Sequence, residues 1–220
     1  PDIVLVSHWH THHSPFREIK EFAINKNIIL VGPRLEPAKL AIIRRNLGDH
    51  IFKKISFLFI EKDEEISFDE VTIRAFTHTQ KEHCGYIVET PEIKILHLSD
   101  AKVNTNENIT DLDHLWKKIE NEKPDYMFIS TAGHVSKYVE GINRKIVENT
   151  SLTPFQAAKI VEKTQPINIS IIGIYNFSIW DSKYEFSYSI EELERAFEWT
   201  LSFLSPNINV IKLKPGQILF

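Results

Sequence analysis

Short apolar runs and amphipathic stretches alternate along the chain, and their periods predict its elements. Ile3-Val4-Leu5-Val6 is an apolar, partly β-branched run of the kind that forms a buried strand. Ser14 to Asn25 reads as a short helix, with Ser14 as N-cap and Pro15 at its first position. Asn27 to Gly32 reads as a second buried strand, and Glu36 to Leu47 as a helix closed by Gly48. Strands follow at Ile55–Ile60, Glu65–Phe68 and Val71–Phe76, with Glu61 to Glu65 as a solvated turn. Gly85–Glu89 and Ile93–Leu98 pair as a hairpin about Thr90-Pro91-Glu92. Helices at Leu112–Asn121, Thr153–Thr164 and Ile190–Leu204 then separate strands at Tyr126–Ser130, Ile167–Ile174 and Val210–Leu213. Strands come first in meanders and later alternate with helices. That order suits two sheets packed face to face with helices outside.

The bulk properties narrow the class. At 220 residues the chain is long enough for one sizeable domain, and no linker-like stretch divides residues 1–220. Apolar residues at 42% and charged residues at 25% fit a soluble globular protein. A net charge of −4 argues against a non-specific nucleic-acid binder, which usually carries a basic stripe. Cys84 is the one cysteine, so an internal disulfide is excluded and a reducing cytoplasm is expected. No apolar stretch is long enough to span a membrane. The chain opens at Pro1, beside a strand and without a methionine, and reads as N-terminally incomplete, lacking upstream strands.

The segment Ser7-His8-Trp9-His10-Thr11-His12-His13 carries most of the chemistry. A buried strand that opens into four histidines brings several imidazole nitrogens to one point on a sheet edge. Neutral imidazole is the commonest protein ligand for zinc and a good one for iron and related metals. Strand alternation puts His8 and His10 on one side, and the following turn can return His12 or His13 toward the same ion. A purification tag would not sit behind such a strand and ahead of Ser14-Pro15. A metal site is the expectation.

Asp2-Ile-Val-Leu-Val-Ser-His8-Trp-His10-Thr-His12-His13 resembles the His-x-His-x-Asp-His signature of the metallo-β-lactamase superfamily. It looks most like the branch of metal-dependent hydrolases that includes ascorbate-phosphate lactonases and tRNA 3′-processing nucleases. One departure matters, because His12 stands where the family has its Asp. The resemblance implies an αββα sandwich, an α/β (α+β) fold with its metals at one sheet edge.

Two later segments resemble the family in order. Thr72-Ile-Arg-Ala-Phe-Thr-His78 is followed by His83-Cys-Gly-Tyr-Ile-Val-Glu89, where the family has a strand ending in a ligand histidine and then a Gly-Tyr strand. His78 is favoured as the ligand and His83 is the alternative. Lys94-Ile-Leu-His97-Leu-Ser99-Asp100-Ala101 resembles the strand whose Asp bridges two metals. A carboxylate closing an apolar strand is costly unless it is paired or ligating, and in register with the other two segments this favours Asp100 as a ligand. His97 reads as a packing histidine or one that orients a ligand by hydrogen bonding. The last family ligand is missing. Thr153-Pro154-Phe-Gln-Ala157-Ala158 leads to Ile171-Ile172-Gly173-Ile174-Tyr175-Asn176, with Tyr175 or Asn176 at the expected histidine position. His134, in Ser130-Thr-Ala-Gly-His134, is a candidate substitute or an ordinary loop histidine.

By the resemblance, His8, His10 and His78 hold one metal, and His13 and Asp100 serve the other with Asp100 bridging. His12 replaces a carboxylate that ligates and shuttles protons; imidazole can do both near neutral pH but brings no negative charge. The implied cofactor is zinc, one or two ions, with manganese or iron as alternatives. The implied activity is a metal-dependent hydrolase using a metal-bound hydroxide on a small ester, lactone or phosphodiester. An RNA or DNA phosphodiesterase is less favoured, since no extended arm or basic patch is visible. A non-catalytic metal-binding relative is the third reading, because two ligand positions are altered.

Overall fold

The computed structural model describes residues 2–9, 16–61, 63–77, 84–99, 117–120, 122–131, 136–137, 152–172, 185–186 and 190–213. The N-terminal part is a βαβαβ run: β1 (Ile3–Leu5), α1 (Phe16–Asn25), β2 (Ile28–Pro33), α2 (Pro37–Leu47), the short α3 (Asp49–Phe52) and β3 (Ile55–Ile60). These strands form a parallel three-stranded sheet in the order β1-β2-β3. The meander comes after it. β4 (Glu65–Phe68), β5 (Val71–Thr77), β6 (Cys84–Glu89) and β7 (Lys94–His97) pair antiparallel in sequence. β8 (Tyr126–Ser130), β10 (Asn168–Ile172) and β12 (Asn209–Ile211) extend that sheet in parallel, giving seven strands in the order β12-β10-β8-β7-β6-β5-β4. The helices α4 (Pro154–Thr164) and α5 (Ile190–Leu204) belong to this second half, and β9 (Ser136–Lys137) pairs with β11 (Glu185–Phe186).

Expected order and observed order differ at the start. Helices alternate with strands from β1 onward, and the meander is confined to β4–β7. The helices expected at 14–25 and 36–47 already stand between these strands, and a helix crossing between neighbouring strands marks parallel pairing; the expectation of meanders first overlooked that signal.

Buried residues group into three cores that define four layers. Ile28 and Leu30 of β2 pack with Ile19 and Ala23 of α1 and with Ile43 and Leu47 of α2. The alternate β2 residue Val31 faces the other way and joins Ile73, Ala75, Cys84 and Tyr86 from the larger sheet. Period-two alternation thus feeds one strand into two cores. On the far side of the larger sheet, Ile87, Leu96, Met127 and Ile169 pack with Ala157, Ile160 and Val161 of α4 and Phe197 and Leu201 of α5. The order is helices, sheet, sheet, helices, the expected αββα sandwich.

Local sequence fixes the helix ends. Thr153 caps α4 through a reciprocal box with Gln156, and Pro154 fills the first turn, where its missing N–H is harmless. Gly48 closes α2 at φ +82, a backbone that side chains with a Cβ resist. Thr90 organises the β6–β7 turn, where its N–H donates to Ile93 O at 2.9 Å. The predicted N-cap Ser14 and most of the predicted helix at 112–121 lie outside the described residues; residues 117–119 are helical.

Candidate metal centre

The exit of β1 is tied to both sheets. Val6 N–H donates to Val31 O at 2.8 Å, which carries the β1–β2 pairing one residue farther. Its carbonyl accepts from the Tyr86 hydroxyl at 2.7 Å, across the inter-sheet core. Cys84 N–H then donates to Ser7 O at 2.9 Å. Two hydrogen bonds from β6 therefore hold the two residues that precede His8.

His8 is 1% exposed. Its Nδ1 lies 3.0 Å from Ser7 Oγ. In the Nδ1–H tautomer the ring donates to that hydroxyl and turns the Nε2 lone pair to a ligand, the arrangement that ligating histidines commonly use. Trp9 anchors the next step. Its indole N–H donates to Pro33 O at 2.7 Å, and its ring covers Gly32, where a Cβ would meet Trp9 Cζ2 at 2.8 Å.

Strand register brings the other exits to the same edge. β5 and β6 end with Thr77 opposite Cys84, so the connection holding His78 and His83 leaves from this edge. His97 of β7 lies opposite Tyr86 on one side and Phe128 on the other. Leu98 N–H donates to Phe128 O at 2.9 Å, and the chain then turns at Ser99, the residue before Asp100. Ser130 of β8 pairs with Ile172 of β10, so the segments leading to His134 and to Tyr175 depart from this edge as well.

His8 is thus the predicted ligand that the structure places. His10, His12, His13, His78, His83, Asp100 and His134 lie outside the described residues, as do Tyr175 and Asn176. Among the described residues no group of three or more His, Cys, Asp or Glu side chains is arranged to hold a metal. His97 is half-buried, its Nδ1 accepts the Ser99 N–H at 3.1 Å, and its ring lies 5.9 Å from that of Phe128.

Burial sets the electrostatics beside His8. It pushes the Cys84 thiol up to about 11 and raises the Tyr86 hydroxyl far above its ordinary value. Both stay protonated, so Tyr86 remains a donor to Val6. Sequence reasoning missed Ser7, Trp9 and Tyr86 as supports of this edge; one available signal was Gly32 at a strand end in a chain with seven glycines. A separate cleft of about 740 Å³ lies at the opposite strand ends, among Val71, Val88, Ile93, Ile95 and Tyr126, away from this edge.

No protein-family model and no curated sequence matches the chain. Solved structures do. CmlA, a diiron β-hydroxylase from Streptomyces venezuelae, is similar at a TM-score of 0.65 and 16% identity, over 97% of this chain and 44% of that one. The metallo-β-lactamase fold protein YhfI from Bacillus subtilis is similar at 0.63 and 10%, over 98% of this chain and 76% of that one. A diphosphatase of the PhnP family is similar at 0.50 and 15%, over 77% of this chain and 58% of that one. The chain spans less than half the length of CmlA. It has the metallo-β-lactamase fold.

Among the described residues, no helix is long and apolar enough to cross a membrane.

Proposed function

We propose that the chain is a metal-dependent hydrolase acting on a small ester, lactone or phosphodiester. One observation carries the reading: buried His8 stands at the sheet edge from which every segment bearing a predicted ligand departs. The donor set suits a divalent ion of borderline softness, being rich in imidazole with one carboxylate. His8, His10 and His78 would hold a first ion, while His13 and Asp100 would serve a second, with His83 and His134 as alternatives. Zinc is the expected metal; CmlA is a diiron protein, so iron is the alternative that elemental analysis must address, along with manganese. A bound ion supplies Lewis acidity toward water and toward the substrate's acyl or phosphoryl oxygen.

The chain's own residues supply the rest. Ser7 fixes the His8 ring, and Tyr86 and Cys84 fix the backbone that carries it. His12 is the residue to accept or return a proton near neutral pH. The net charge of −4 favours small substrates over polynucleotides, and the single buried cysteine suits a cytoplasmic setting.

The altered positions His12 and Tyr175 favour a second reading, a metal-binding protein without turnover. One experiment separates the two. Metal content is measured after dialysis, and hydrolysis of bis-p-nitrophenyl phosphate and a lactone panel is assayed for the wild type and His8→Ala. Metal with His8-dependent turnover supports the hydrolase, metal without turnover supports the second reading, and absence of metal overturns both.

A further inference from the structure

We infer that His97 is a positioning residue for the metal centre, acting through the backbone of Ser99 on the direction in which the chain leaves β7. The inference rests on the proposed metal reading and adds a role for a residue outside its ligand set. Among the described residues, five non-glycine residues have positive φ: Asp63, Asp69, Ser99, Lys123 and Gln165. Four of them are exposed. Ser99 is the buried one, at φ +53 and 5% exposed, immediately before Asp100. A left-handed serine in a core is unfavourable unless its surroundings over-determine it, and such residues concentrate at functional sites.

The His97 ring provides that determination. Its Nδ1 accepts the Ser99 N–H at 3.1 Å, two residues on. Nδ1 stands as many bonds from the backbone as the side-chain oxygen of Asn or Asp, so the contact is the imidazole counterpart of an Asx-turn. Accepting through Nδ1 requires the neutral Nε2–H tautomer. The ring is placed from two sides: His97 is in register with Tyr86, which holds Val6, and packs against Phe128. The tie that fixes the β1 exit and the tie that fixes the β7 exit are therefore on adjacent residues of the sheet.

The test uses cobalt(II) as the probe, with binding followed by its visible absorption, and thermal midpoints recorded in parallel. His97→Phe keeps an aromatic ring against Phe128 and removes the acceptor. It should weaken cobalt binding about 10–100-fold, the range for groups that orient metal ligands. His97→Asn restores an acceptor at the same bond distance and should bind within about threefold of wild type. The double variant His97→Phe/Ser99→Gly should recover most of the loss, since glycine takes positive φ without help. In metal-free wild type, nitrogen NMR should show the Nε2–H tautomer and slow exchange of the Ser99 amide. Unchanged cobalt affinity in folded His97→Phe overturns the inference, as does His97→Asn binding as poorly as His97→Phe. A Nδ1–H tautomer in the wild type overturns it without any variant, which covers the case of His97→Phe failing to fold. Wild type that binds no cobalt, zinc, iron or manganese overturns the metal reading itself, and is recognised because every variant is then equally inert.

Discussion

The indole of Trp9 reaches the carbonyl of Pro33 at 2.7 Å and lies over Gly32 so closely that a methyl group there would stand 2.8 Å from its ring. A residue between two predicted ligands, His8 and His10, is thus fastened to the end of the neighbouring strand. The contact needs a glycine for its close approach, whatever that glycine's φ.

Removing the methyl-free space should therefore act through Trp9. Gly32→Ala should destabilise the protein by about 1–3 kcal/mol, the usual cost of overpacking. Trp9→Ala removes the ring and its hydrogen bond, and the double variant should lose clearly less than the two single losses combined. Urea unfolding of the four proteins checks this; strict additivity would mean that the ring does not occupy the space above Gly32.

The Tyr86 hydroxyl makes a second prediction. Tyr86→Phe keeps the ring in the inter-sheet core and removes the donor to Val6 O, a buried hydrogen bond at 2.7 Å. A loss of about 1–3 kcal/mol is expected, because a buried carbonyl is left without that partner. Metal affinity should fall with it, since Val6 and Ser7 carry His8. Equal stability of the two proteins in urea would show that the sheets do not depend on this tie.

Much of this architecture was legible in the residue pattern, and the reasons differ by element. β3, β4, β8 and α5 lie where the periodicity puts them, because Ile55–Ile60, Glu65–Phe68 and Tyr126–Ser130 are short apolar or alternating runs and Ile190–Leu204 keeps a helical period over its length. Parallel pairing of β1 with β2 leaves no mark in the alternation of Ile28 to Val31, but the helix expected between the two strands signalled it and was overlooked. The left-handed turn at Ser99 carried no signal, for serine stands where glycine would have announced it. Trp9 was ambiguous for a different reason: an indole between histidines reads equally as core, surface or ligand pocket. His8 was the opposite case, as an imidazole directly behind an apolar strand is either costly to bury or put to use.

Cys84 should be nearly inert in the native protein. It is 3% exposed, and burial pushes its thiol up to about 11 from an ordinary value of 9.0. The thiolate is the reactive form, so alkylation by iodoacetamide at pH 8 should proceed only through opening of the β5–β6 end and rise sharply in denaturant. The sign for stability follows from the same shift. The raised pKa favours the folded state fully below about pH 9, and that contribution is lost as pH rises through about 11. Cys84→Ala should lack this alkaline step. Rapid labelling in native buffer would contradict the burial.

Ligand charge leads to the last prediction. On the proposed metal reading, the resemblance implies that a second ion would lean on a carboxylate at the position of His12 and on a histidine at the position of Tyr175. Here one anion is replaced by a neutral ring and one imidazole by a phenol or, at Asn176, an amide. Affinity depends on ligand number and charge, so the second ion should be weakly held and lost on dialysis, leaving about one metal per chain. Restoring the pattern with His12→Asp and Tyr175→His should raise the stoichiometry toward two and increase phosphodiesterase activity on bis-p-nitrophenyl phosphate. His12→Asp alone should recover part of the affinity, because it returns the negative charge that offsets two closely spaced cations. Elemental analysis of the dialysed proteins reads the result directly. Two tightly held ions in the unmodified chain would defeat the argument, and would mean that His12, His83 or His134 already serves as the replacement ligand.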